Sequence, residues 1–111
     1  MSKFFTFNQN NSGGRFTYDE SSGISEYVII EAKNADQAND RAESIGLYFD
    51  GCSEEMDCPC CGDRWSRVWE EDGSDFPSLY GVDVFKAKRD LYMEVVFIHY
   101  LNGEVVKIEL E

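Results

Sequence analysis

Outside positions 52–61 the sequence has no cysteine, and the whole chain holds one histidine and two prolines. A single histidine excludes the paired-histidine metallohydrolase motif His-Glu-x-x-His. No nucleophile elbow and no phosphate-cradling glycine loop is present either. With few prolines and no Gly/Ser-rich tract, nothing reads as a linker between domains. No apolar run approaches the roughly 18 residues that span a bilayer. The start, Met1-Ser-Lys-Phe-Phe-Thr-Phe, lacks the apolar stretch of a signal peptide. These absences predict a single non-enzymatic domain over residues 1–111, working in the cytoplasm, where thiols stay reduced.

Positive charge is scarce as well. Ten Lys and Arg face twenty-two Asp and Glu, a formal net charge of −12. Such a surface repels nucleic acid and anionic membrane, so direct binding to either is not expected. It attracts a basic surface instead, or serves solubility alone. What is abundant is aromatic: eight Phe, six Tyr and two Trp, which supply much apolar area to a thin core.

Lys3–Phe7 reads as a short aromatic strand. The turn formers Asn8-Gln-Asn-Asn-Ser-Gly-Gly14 follow, with Arg15–Tyr18 as a candidate returning strand. Asp19–Gly23 is a break, and Glu26–Ala32 is strand-like from its β-branched content. Asn34 then has the chemistry of a helix N-cap, with Gln37 placed three residues on as in a capping box. Ala35, Ala38, Ala42 and Ile45 fall on one stripe at helical spacing, and Gly46 supplies the stop. The stretch from Trp65 to Pro77 is poorly periodic, with a short strand expected around Arg67–Trp69 and another over Tyr80–Phe85. Leu91–Leu101 and Glu104–Leu110 flank Asn102-Gly103, a two-residue hairpin signal. That loop length sets Leu101 opposite Glu104, His99 opposite Val106 and Phe97 opposite Ile108. Met93, Val95, Phe97, Ile108 and Leu110 are then expected on the core face. The sum is an α+β domain: an antiparallel sheet, one main helix over about 34–45 packed on it, and a cysteine-rich loop.

That loop carries the chemistry. Cys58-Pro59-Cys60-Cys61-Gly62 contains Cys-x-x-Cys followed by glycine, the pattern of a zinc knuckle, and Cys52 is a plausible third ligand. The fourth ligand is open. Cys60, His99, Asp57, Asp63 or a second subunit could complete a structural zinc site within the loop 52–65. For His99 the competing reading is a hydrogen-bonded core histidine. A redox role for Cys58 and Cys61 is an alternative, but Gly62-Asp63 does not read as the helix start that lowers a thiol pKa in such enzymes. Arg64 could bond carbonyls around the loop or stack on Trp65 or Trp69, or an Arg beside an aromatic could recognise an anion or a base.

Three stretches carry a resemblance: Ile30-Glu-Ala-Lys-Asn34 with the helix after it, Gly46-Leu-Tyr-Phe-Asp-Gly51, and Asp57-Cys-Pro-Cys-Cys-Gly-Asp-Arg-Trp65. Together, over about residues 26–82, they resemble a group of small uncharacterised proteins of tailed bacteriophages carrying a Cys-x-Cys-Cys-Gly-Asp-Arg-Trp motif. The resemblance implies a phage accessory protein in the host bacterial cytoplasm and carries over no catalytic or binding residue. The expected activity is binding and inhibition of a host protein with a basic surface, such as a component of anti-phage defence. Glu54, Glu55, Glu70, Glu71, Asp72 and Asp75 are the candidate acidic contacts, with Arg64 and Trp65 beside them. Two alternatives stand next to it. One is sequestration of a small nucleotide signal by Arg64, Trp65 and Arg67, and the other is a small thiol redox protein.

Overall fold

The computed structural model of the protein describes residues 2–10, 18–49, 51, 64–79, 82–86 and 95–109. Within them the chain forms a four-stranded sheet, one helix and a short hairpin. The strands are β1 (Lys3–Asn8), β2 (Tyr27–Ala32), β5 (Val95–His99) and β6 (Val105–Glu109), in the spatial order β1-β2-β5-β6. The helix α1 (Ala35–Ile45) follows β2, and the hairpin β3 (Ser78–Leu79) and β4 (Val82–Asp83) precedes β5. The α+β class and the single helix are as expected.

The sheet is mixed, not antiparallel. β1 runs antiparallel to β2, but β2 and β5 are parallel, with Tyr27 opposite Val96 and Ile30 opposite His99. A parallel pair needs a long crossover, and the chain between Ala32 and Val95, which includes α1, supplies it. Both strands have the composition of a buried pair: Val28, Ile29 and Ile30 are wholly inaccessible, as are Val96 and Ile98.

Alternation then divides the core into two layers. Phe5, Phe7, Val28 and Ile30 face α1 and pack with Ala35, Ala38, Ala42, Leu47, Phe49, Trp65 and Val68. Alanine on the helix lets its axis lie close to the sheet. Ile29, Val96 and Ile98 face the other way and pack with Leu79 and Val84 of the hairpin region, with Phe4, Tyr100 and Ile108 at the margin.

The helix begins as its sequence dictates. Asn34 Oδ1 accepts the Gln37 N–H at 2.8 Å. The Gln37 side chain reaches one residue further back than a capping box requires, accepting the Lys33 N–H at 2.7 Å. Gly46, at φ 121°, ends the helix and donates to the carbonyls of Ala42 and Glu43.

The final hairpin is shifted by one residue from the expected register. Val105 lies opposite His99, Val106 opposite Ile98 and Ile108 opposite Val96. The loop has three residues, Leu101-Asn102-Gly103. The Tyr100 N–H donates to the Glu104 carbonyl at 2.8 Å, the Gly103 N–H donates back to the Tyr100 carbonyl at 2.9 Å, and Gly103 has φ 94°. This is the turn-plus-bulge form, in which glycine alone takes the left-handed position. One residue of slip exchanges the faces. Phe97 therefore sits opposite Lys107, while Ile108 joins Val96 and Ile98. Met93 and Leu110 lie outside the described residues, as do Arg15–Thr17. Tyr18 belongs to no strand.

Candidate functional site

Cys52, Cys58, Cys60, Cys61, Glu54, Glu55, Asp57 and Asp63 all lie outside the described residues. Among the described residues no group of three or more His, Cys, Asp or Glu is placed to hold a metal ion. His99 is described. It is 1% exposed, and its Nε2 lies 2.8 Å from the Gly23 carbonyl oxygen. A carbonyl only accepts, so Nε2 carries the proton and Nδ1 carries the lone pair. Nδ1 has no hydrogen-bond partner among the described residues. Burial holds the His99 pKa below its ordinary value, and the Arg41 charge acts in the same direction against the Gly23 bond.

Arg64 acts as a tie. Its Nε donates to the Tyr48 hydroxyl at 3.2 Å, its Nη1 donates to Gln9 Oε1 at 3.0 Å, and its carbonyl accepts the Asn10 N–H at 2.8 Å. Trp65, expected at a partner surface, is 2% exposed inside the helix-side core and presents no ring to a partner. The exposed tryptophan is Trp69, at 64%.

No strand forms at Arg67–Trp69. Both backbone groups of Val68 are taken by one side chain: the Val68 N–H donates to Asn39 Oδ1 at 2.9 Å, and Asn39 Nδ2 donates to the Val68 carbonyl at 3.0 Å. The segment is thereby held on α1 and kept away from β1. Glu70, Glu71 and Asp72 then form a single 3-10 turn. Glu70 Oε1 accepts the Ala35 N–H at 2.6 Å, placing a carboxylate on an orphan donor at the start of α1, where the helix dipole favours it. Asp72 Oδ2 accepts the Trp69 N–H at 2.7 Å and closes the turn. Glu71 and Asp75 are exposed and bond no described residue. Of the four acids here, two build the turn and two are offered to solvent. Trp69 and Phe76, the latter 43% exposed, flank them.

Between this segment and β1 lies a cleft of about 450 Å³, lined by Thr6, Asn8, Ser66, Arg67, Asp72 and Ser78 among others. The Arg67 guanidinium lies over the Phe49 ring, 5.0 Å from its centroid. Of the Arg64, Trp65 and Arg67 set expected to hold a nucleotide, Arg67 alone lines this cleft.

Residues 2–111 match the family described as a domain of unknown function (DUF7296). The chain belongs to that family. No curated protein and no solved structure matches it. Among the described residues, no helix of this DUF7296 chain is long and apolar enough to cross a membrane.

Proposed function

We propose that this chain is a non-enzymatic binding protein, a phage accessory factor that engages and inhibits a basic host protein through the face built by residues 69–76. The carrying observation is the arrangement of that face. Two large exposed aromatics, Trp69 and Phe76, bracket the solvent-facing Glu71, on a turn fixed by Glu70 and Asp72, and Asp75 after it. Rigid aromatic anchors beside uncompensated charge are what an interface needs for both affinity and long-range attraction. The net charge of −12 extends that attraction over the molecule.

The cysteine stretch supports this role as a brace. In this reading Cys58 and Cys61, with Cys52 and a fourth group drawn from Cys60, His99 or an aspartate, hold one structural zinc. The support is the Cys-x-x-Cys-Gly spacing, together with the unpartnered Nδ1 of His99, whose other nitrogen already donates to a carbonyl as zinc-bound imidazoles do.

The test is affinity capture from infected bacterial cells with the wild-type chain and two variants. Trp69→Ala is expected to weaken the recovered complex at least thirtyfold. Glu71→Gln with Asp75→Asn is expected to slow association and flatten its salt dependence. A complex untouched by both changes rules the face out.

A further inference from the structure

Among the described residues, the edge of β1 keeps a short open slot. Phe4 exchanges both backbone bonds with Ser74, at 2.8 and 2.9 Å, and the Asn10 N–H is taken by the Arg64 carbonyl. Gln9 instead donates inward to Glu26. Backbone groups therefore alternate along the strand: Phe5, Phe7 and Gln9 turn to β2, while Phe4, Thr6, Asn8 and Asn10 turn to the outer edge. Between the two closed ends, the N–H and C=O groups of Thr6 and Asn8 face the cleft and bond no described residue.

A strand edge that no described residue covers is a template for another chain, and here the segment 65–70 is held away from it. Asn39 occupies both backbone groups of Val68, and Glu70 is anchored to the start of α1. Trp65 and Val68 are both buried in the helix-side core. Residues three apart cannot share one face of a regular strand, so the segment cannot zip onto β1 without withdrawing Val68 from that core.

The geometry points to a short extended peptide segment of the basic partner as the occupant of this slot, bonded through its main chain to Thr6 and Asn8. Donors and acceptors alternating at strand spacing are the complement of a peptide backbone. Phe4 and Asn10 are roughly 20 Å apart on an extended strand, and the chain at Ser74 and Arg64 fills both ends, so the slot holds about three extended residues. They enter from the open face and do not run through. Asp72 and Arg67 both line the slot, Arg67 with its guanidinium over the Phe49 ring, and Glu71 shares the Asp72 turn, so the acids exceed the base and favour Lys or Arg on the flanks of the segment. The inference rests on the binding reading above and specifies how the partner is held.

Main-chain recognition is largely indifferent to side-chain identity, so a generic probe is a fair one. Acetyl-Lys-Val-Thr-Val-Lys-amide at millimolar concentration is expected to shift the Thr6 and Asn8 amide resonances and slow their hydrogen exchange several-fold. A twin N-methylated at its three central residues is expected to bind at least tenfold more weakly. Unmoved Thr6 and Asn8 amides, equal binding of the twin, or a response to inorganic phosphate in place of the peptide would each overturn the slot. The two readings separate cleanly. A partner complex that survives both Trp69→Ala and the Glu71→Gln, Asp75→Asn pair ends the aromatic face and leaves the slot standing, whereas loss of the Thr6 and Asn8 response alone ends the slot and leaves the face.

Discussion

His99 and Gly23 form one unit in which each limits the other. Gly23 has φ 76°, and a Cβ there would come within 2.7 Å of His99 Cε1 and 3.1 Å of Val105 Cγ1. Gly23→Ala therefore meets both backbone strain and a collision with a buried ring, and a loss of more than about 1 kcal/mol is expected in urea titration. The pH behaviour follows from the same burial. The folded pKa of His99 lies below its ordinary 6.5. As pH falls through that value the unfolded chain binds a proton that the folded chain refuses, so stability is complete above it and declines beneath it. Asp19, held below its ordinary 3.8 chiefly by Ser21 and Ser22, loses its contribution only in more acidic solution. Denaturation midpoints should thus begin to fall as pH drops below about 6.5 in the wild type and stay level there in His99→Gln. An equal slope in the two proteins would remove His99 from the account.

At the scale of elements, the junction of α1 with the segment 65–70 is the part most open to test. Asn39→Ala orphans the Val68 N–H and C=O in a half-buried setting, and a cost of about 1–3 kcal/mol is expected. Asn39→Asp keeps the acceptor and loses the donor, so it should fall between, as read by thermal melting. This junction also shows why the sequence misleads at Arg67–Trp69. Local composition suits a strand there, but the competing partner is a side chain distant in sequence, and no local pattern announces it. The helix was legible down to its cap and stop because its signals are local. The strand directions were half legible. The apolar runs at Val28–Ile30 and Val96–Ile98 have no polar alternation, which is the mark of strands buried on both faces and fits their parallel pairing better than the antiparallel sheet expected from the sequence. The hairpin failed by one residue because Asn-Gly suits both a two-residue turn and the last two positions of a three-residue one. Leu101, 40% exposed, tips the choice toward the longer loop, since the register it creates buries Val96 and Ile98 against Ile108 and leaves Lys107 in solvent. Of the candidate site, Trp65 is expected outside and lies in the core, while Trp69 is the exposed one. Trp65 and Trp69 look alike in sequence, and only packing against α1 sends the first inward.

For the molecule as a whole, the described residues on the two sides of the cysteine stretch share one core. Phe49 on its near side and Trp65 on its far side belong to the same helix-side core, and Arg64 reaches across to the Tyr48 hydroxyl. The flanking residues are thus tied together by packing before any ion is considered. A zinc brace, as proposed, would act between flanks already tied together, so its contribution should be smaller than in a free metal-folded peptide. Metal analysis of the purified chain is expected to give about one zinc per molecule, the stoichiometry of a single closed four-ligand site. Cys58→Ser and Cys61→Ser should each release it and lower the melting temperature while the circular dichroism of the sheet and helix persists. Arg64→Ala should make the chain more sensitive to Cys61→Ser than the separate losses suggest, because the two changes open the same loop. Strict additivity would mean that metal and core act apart, and unchanged melting in metal-free protein would remove the brace.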